Sequence, residues 1–318
     1  MQAILKQLDF ELEQFAVTRG AIETLFIGGG TPSTIKPEHY APFFEKISPY
    51  LAEDAEITSE ANPNSADRKW LEGMHTLGVN RISFGVQSFD PGKLRFLGRN
   101  HNEKQAQEAP LLAYEVGFEN ISIDLIYGTA PDTEALLFND LEIAFSLPLN
   151  HLSAYSLTIE TGTPFQKSPE VSNDDETIAR RFRDRICETF PQYEISNFGN
   201  YRSRHNLGYW QYKDYIGIGS GAVGFKQNRR FYPLPSIEAY IADPMRRETE
   251  VLDTEAIKSE KVLLGLRSIV GIDTALLNEK EHKRAEILLH EGKLLRQNGR
   301  LYNPDYFLSD EIALFLLS

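Results

Sequence analysis

The chain has 318 residues, 41% of them hydrophobic, enough to bury a substantial core and to make one large domain plus a smaller one. Its formal net charge of −13 lacks the basic footprint of a nucleic-acid binder, which excludes DNA and RNA as expected partners. No apolar run is long enough to cross a bilayer, and the start is an amphipathic pattern with Asp9, Glu11 and Glu13 instead of a signal peptide, so a cytoplasmic protein is expected.

Ile4, Leu8, Leu12 and Phe15 recur at helical spacing. Residues 24–27 then form a short apolar strand closed by Gly28-Gly29-Gly30 and Thr31-Pro32-Ser33, where bare backbone can approach a small ligand. Pro37 opens a helix with Phe43, Phe44, Ile47 and Leu51 inward, and a second strand follows near 55–59. Asn64 or Ser65 caps a helix that buries Trp70, Leu71, Met74 and Leu77 and ends at Gly78. Residues 81–84 are extended. The next helix runs to Gly117, starting late or kinking at Pro110, and leads into a fourth strand at 121–128. Leu136, Leu137, Leu141 and Phe145 mark another helix, 151–157 another strand, and a helix over 178–190 leads to a strand at 193–196. The only cysteine, Cys187, shares the face of Ile178, Phe182, Ile186 and Phe190, which reads as a buried, inert thiol. A lone thiol excludes an intramolecular disulfide, and also any site in which several thiolates of this chain hold zinc or an iron-sulfur cluster.

Strands separated by helices at a period of roughly 30 residues imply right-handed crossovers and a parallel sheet, and about six such units favour a barrel or partial barrel. Its mouth should lie at the C-terminal strand ends, where Glu60, Gln87, Arg99 and Asp124 arrive at matching intervals. After Tyr201 the pattern becomes aromatic and glycine-rich, and from Ser236 helical periodicity returns in Val262, Leu263, Leu266 and Ile269, then Ile287, Leu288, Leu294 and Leu295. This divides the chain into a partial barrel with its aromatic extension, 1–232, and a small helical domain, winged or unwinged, 233–318. Gly219-Ser220-Gly221-Ala222-Val223-Gly224 matches a dinucleotide-binding pattern, but no amphipathic helix follows it, so no Rossmann site is expected. The Gly28 loop likewise lacks the Gly-Lys-Ser/Thr ending of a P-loop.

Over nearly its whole length the chain resembles the radical S-adenosylmethionine (SAM) proteins of the oxygen-independent coproporphyrinogen oxidase and heme chaperone HemW group. The resemblance is carried by Gly28-Gly29-Gly30-Thr31-Pro32, Glu60-Ala61-Asn62-Pro63, Gly85-Val86-Gln87-Ser88-Phe89, Leu97-Gly98-Arg99 and Ile123-Asp124-Leu125-Ile126-Tyr127-Gly128. Ala154-Tyr155-Ser156-Leu157, Tyr193-Glu194-Ile195-Ser196-Asn197-Phe198, His205-Asn206-Leu207-Gly208-Tyr209-Trp210 and Leu264-Gly265-Leu266-Arg267 extend it. It implies an α/β fold, a TIM-like (β/α) barrel lacking its first strand. It also implies a SAM site in which the carbonyls of Gly29 and Gly30 and the Glu60 carboxylate take the ammonium, with Thr31 beside them. Arg99 would pair with the SAM carboxylate, and Gln87 and Asp124 would bond polar groups including the ribose hydroxyls. In the family, three cysteines of a C-x-x-x-C-x-x-C loop after the first barrel strand hold a 4Fe-4S cluster that SAM completes. This sequence has no such loop, and the expectation is a truncated chain that cannot hold the cluster.

His205-Asn206-Leu207-Gly208-Tyr209-Trp210 looks like the H-N-x-x-Y-W signature of the heme chaperone branch. The resemblance implies that His205 ligates heme iron, that Tyr209 and Trp210 cover a porphyrin face, and that Arg202 and Arg204 meet propionates. His101 and His151 are expected near the mouth, and His39, His75, His282 and His290 on the surface. The implied function is a heme chaperone that passes heme or porphyrin to a heme-accepting protein. The alternatives are oxygen-independent coproporphyrinogen III oxidation, or an unrelated barrel enzyme that holds phosphate on the glycine loop.

Overall fold

The computed structural model describes residues 1–159, 165, 171–173 and 175–318. The chain starts with α1 (Gln2–Gln14) and then alternates strand and helix: β1 (Ile22–Ile27), α2 (Ala41–Ile47), β2 (Leu51–Ala61), α3 (Arg68–Thr76), β3 (Arg81–Gln87) and α4 (Pro91–Phe96). It continues with α5 (Glu103–Val116), β4 (Asn120–Tyr127), α6 (Glu134–Ser146), β5 (His151–Ser156), α7 (Glu176–Cys187) and β6 (Asn197–Gly199). These six strands form one sheet in the order β1-β2-β3-β4-β5-β6. Strands β2 to β5 pair in parallel, as expected of a partial barrel built from strand-helix units, whereas β6 runs antiparallel to β5.

By its internal contacts the chain divides into two compact units, Thr24–His39 with Ala55–Arg202, and Met1–Glu23 with Tyr40–Asp54 and Ser203–Ser318. In the first unit the strands are two-faced. Ile82, Phe84, Val86, Ile121, Ile123, Leu125 and Leu152 are almost fully buried on one face. Helices α3, α5, α6 and α7 supply Trp70, Leu71, Met74, Ala106, Ala113, Leu137, Leu141, Phe182 and Ile186 to the same apolar layer. The opposite face is polar. Register sets Thr58 beside Arg81, Glu60 beside Ser83, Ser122 beside His151 and Asp124 beside Ser153, so all of these side chains share one side.

In the second unit, α8 (Arg204–Trp210) precedes an antiparallel sheet of β7 (Gly224–Lys226), β8 (Arg229–Pro233) and β9 (Arg247–Val251), with α9 (Ile237–Ala242) between the last two. Then come α10 (Thr254–Leu266), β10 (Ile272–Asp273), α11 (Glu279–His290), the hairpin β11 (Leu295–Gln297) and β12 (Arg300–Tyr302), and α12 (Ser309–Leu317). The hairpin pairs with β10 as a three-stranded wing over a core of Val262, Leu266, Ile272, Ala285, Leu288, Leu301, Ile312 and Leu316. The G-x-G-x-x-G segment is a turn held by Gln7 of α1, which donates to the Gly217 carbonyl at 3.1 Å and accepts from the Gly219 amide at 2.9 Å. It leads into β7 and not into a helix.

Several expectations are corrected. Leu51 opens β2, because a short 3-10 turn at Ser48–Tyr50 containing Pro49 ends α2 before it. The cap of α3 is Asp67, which accepts from Trp70 N at 2.7 Å, while Ser65 bonds Ser33 at 2.6 Å. Helix α5 does not start late: the Asn102–Gln105 capping box sets its start at Glu103, and Pro110 lies inside it. The stretch 193–196 is the tip of a hairpin, with Gly199 N donating to Pro191 O at 3.0 Å and Tyr193 N to Asn197 O at 3.1 Å. The last strand therefore begins at Asn197. Cys187 is exposed, since it lies one residue past Ile186 and about 100° round the helix from the buried Phe182–Ile186 stripe. Its thiol is raised above its ordinary value, mainly by desolvation, which favours the protonated form. His151 stands at the start of β5, so it belongs to the end of the sheet opposite the mouth.

Candidate binding site at the strand ends

The glycine loop after β1 is shaped by close approach. A Cβ on Gly28 would lie 2.7 Å from the Phe26 ring and 3.0 Å from Glu60 Oε2, so any larger residue would have to displace that ring or that carboxylate. Gly29 and Gly30 have φ of +79° and +70°, and nothing lies within 4 Å of where their side chains would be. Gly29 N donates to Glu60 Oε2 at 3.3 Å. Thr31 turns the loop into a short helical turn, its carbonyl accepting from Thr34 N and Thr34 Oγ1. The result is a stretch of bare main chain seated next to one carboxylate.

Strand β3 ends irregularly. Phe84 pairs with Ile123, but Gln87 pairs with Leu125, so β3 carries an extra residue and Gln87 takes a φ of +70°. Gly85 makes room: a Cβ there would meet the Gln87 amide nitrogen at 3.0 Å. Helix α4 then closes at Gly98, with φ of +65°, and Arg99 N donates back to Leu94 O at 2.9 Å, which turns the Arg99 side chain out of the helix end. His101 fastens the segment to β3 through Nε2 and the Val86 carbonyl, 2.9 Å apart.

Asp124, on β4, accepts from Ser83 Oγ at 3.2 Å and also bonds Ser153. Burial raises its carboxyl above the ordinary value, against the pull of Ser153, Arg81, Ser83 and Arg99. The Glu60 carboxyl is raised first by burial and then by the like charge of Asp124, with the Gly29 amide opposing. Burial lowers the Arg99 guanidinium, and Asp124 counters it. Glu60 and Arg99 therefore each interact electrostatically with Asp124, although the three come from different chain segments. Arg99 Nε is buried and finds no hydrogen-bond partner among the described residues.

Sequence reasoning missed the supporting shell. Ser83, Ser153 and Arg81 surround Asp124, while Tyr155 and Asn197 bond each other, with Glu194 close by. The signal was available in the alternation of Arg81 and Ser83, Ser122 and Asp124, and His151 and Ser153, polar at every second position of strands otherwise built from apolar residues. Deeper on that face His151 bonds Ser122 Oγ at 2.7 Å and Tyr193 OH at 2.7 Å, and is held neutral by burial and by Arg81.

In the second unit, Ser203 caps α8 by accepting from Asn206 N at 3.2 Å. His205 and Tyr209, one turn apart, meet edge to face at 4.9 Å between ring centroids, and His205 Nε2 lies 3.0 Å from Tyr209 OH. Tyr209 stacks edge-on against Tyr215 yet remains 41% exposed. Trp210 follows on the same helix, half-buried. Arg204 is engaged by the Asp54 carboxylate and carbonyl, at 3.1 and 2.6 Å. His39, His75, His282 and His290 are exposed.

Residues 4–138 match the Radical SAM superfamily. The heme chaperone HemW of Bacillus subtilis is 33% identical over 304 residues, 89% of this chain and 80% of that protein. HemW of Mycobacterium tuberculosis is 32% identical over 311 residues, covering 92% of this chain and 80% of the relative, and HemW of Escherichia coli is 38% identical over 233 residues, 70% and 61%. The chain belongs to the HemW family of radical SAM proteins. Among solved structures, the coproporphyrinogen III oxidase HemN of Escherichia coli superimposes with a TM-score of 0.76 at 17% identity, over 93% of this chain and 78% of that one, a likeness of fold.

Proposed function

We propose that this HemW-like protein binds SAM at the strand ends and heme on α8, and serves as a chaperone handing heme to an accepting protein in the cytoplasm. The observation that carries the SAM half is the meeting of Glu60, Arg99 and Asp124 beside the bare Gly28–Gly30 backbone. Two carboxylates and one guanidinium give a site of net charge −1, which complements a ligand bearing a sulfonium, an ammonium and a carboxylate. The open space over Gly29 and Gly30 leaves their carbonyls approachable for the ammonium, beside Glu60 and Thr31. The unpartnered Arg99 Nε suits a carboxylate, and Gln87 and Asp124 suit hydroxyls.

SAM supplies alkyl and radical chemistry when an electron donor reaches it. A 4Fe-4S donor needs several thiolates, and this sequence holds one cysteine, exposed on α7, so the residues present do not fit a cluster. Among the described residues no group of His, Cys, Asp and Glu is placed to hold a metal ion. For heme, His205 offers an imidazole next to the exposed Tyr209 ring and Trp210. The names of the similar proteins support the chaperone reading, whereas the oxidase reading draws only on a shared fold. Among the described residues, no helix is long and apolar enough to cross a membrane.

The test is direct binding. Equilibrium dialysis with labelled SAM should show saturable uptake that Arg99→Ala and Asp124→Ala each weaken about tenfold or more. Titration with heme should give a Soret shift that His205→Ala diminishes. Uptake unaffected by the first two changes defeats the SAM site, and a Soret band indifferent to His205 defeats the heme site.

A further inference from the structure

Lys93 sits on α4 with no exposed side-chain surface, its Nζ 2.6 Å from Asp132 Oδ1, itself almost wholly buried. Asp132 Oδ2 accepts from Thr129 N at 2.8 Å, in the turn that follows β4. A third buried charge completes the cluster: Asp140 of α6, which accepts from Ser88 Oγ and Phe89 N, both at 2.7 Å, and which feels Lys93 and Asp132 electrostatically. Burying an ammonium this completely is costly unless its partners are fixed, and a polar group of this kind recurs where it holds a geometry.

The geometry here is specific. Ser88 and Phe89 directly follow Gln87, and Arg99 lies six residues beyond Lys93, so the clamp grips the segment 87–99 at its start and in its middle. The turn at 129–132 follows the strand that carries Asp124. We infer that Lys93 is a positioning residue for SAM, tying the segment that presents Gln87 and Arg99 to the turn after Asp124's strand so that guanidinium and carboxylate keep their mutual placement. Neither Lys93 nor Asp132 touches the ligand; they act through Arg99. The inference rests on the SAM reading above.

The experiment is SAM equilibrium dialysis on the full chain, with near-ultraviolet circular dichroism to confirm packing. Lys93→Met weakens SAM binding about tenfold. In an Arg99→Ala background the same change costs less than about twofold, because the residue it positions is gone. A purely structural role would not produce that coupling. Breaking a buried pair from one side can prevent folding, so Lys93→Met with Asp132→Asn, which removes both charges and keeps an acceptor for Thr129 N, is the second variant and should show the same loss and the same coupling. Unchanged SAM affinity in either folded variant, or a loss equally large with and without Arg99, overturns the inference. If the unaltered protein takes up no SAM, the site reading fails and this inference falls with it, an outcome distinct from normal uptake that ignores Lys93.

Discussion

Asp124 is flanked by two hydroxyls and two guanidinium groups, yet burial still outweighs them and lifts its carboxyl. On the SAM reading proposed above, a ligand hydroxyl donating to Asp124 would favour its charged form further. Glu194 shows the same balance. It is 1% exposed and burial pushes its carboxyl up to about 7, although Ser196 N, Asn197 and Ile195 N all favour the charged form. Since this value lies above the ordinary 4.5, the stability that protonated Glu194 contributes is fully present below pH 4.5 and is lost as pH rises through about 7. The loss is about 3 kcal/mol at the order of magnitude. Urea unfolding at pH 4.5 and pH 8 should show the gap between wild type and Glu194→Gln shift by that amount in favour of the variant at the higher pH. A pH-independent gap would mean that Glu194 does not titrate in this range. Gln87 was legible in the sequence as the polar residue that closes an apolar strand, whereas Glu60, Asp124 and Arg99, which lie within strands or after a helix, were legible as members of short motifs at matching intervals. Glu194 was legible only as part of a motif, because nothing in Tyr193-Glu194-Ile195 announces that the chain turns there and buries its acid.

Strand β3 and the hairpin 191–199 show where periodicity stops being informative. Arg81-Ile82-Ser83-Phe84 reads as extended, but the extra residue before Gln87 is a property of pairing with β4, and its enabling residue, Gly85, looks like any strand glycine. The hairpin has the β-rich composition of a strand, and only the Pro191 and Asn197 carbonyls reveal that it folds back. Asn64, Ser65 and Asp67 are all competent caps for α3, and the helix starts two or three residues later than the first two would set it because the Asp67 carboxylate reaches Trp70 N. In the second unit, Gly265 of α10 lies against β10: a Cβ would sit 2.5 Å from the Gly271 carbonyl oxygen. Gly265→Ala should therefore force the helix off the strand and cost about 1–3 kcal/mol, visible as a lower denaturation midpoint with an unchanged slope. An unaltered midpoint would show that the helix has room to spare.

Charge over the whole chain is dominated by acids, with a pI near 5.1, and it opposes any polyanion regardless of local detail. The protein should pass unretained through DNA-cellulose at 50 mM salt, and retention released only by added salt would contradict the reading. Composition, the strand-helix period and the spacing of Gly28-Gly29-Gly30, Glu60, Gln87, Arg99 and Asp124 were enough to specify a partial barrel with a polar mouth, because each depends on local pattern and on a fold whose strand ends converge. The tertiary structure alone decided which buried charges support that mouth. The Lys93–Asp132 pair, the Ser83 hydroxyl on Asp124 and the neutral His151 with Ser122 and Arg81 join residues 29 to 70 positions apart, and pairings at that distance arise from sheet register and helix packing, which leave no periodic trace along the chain.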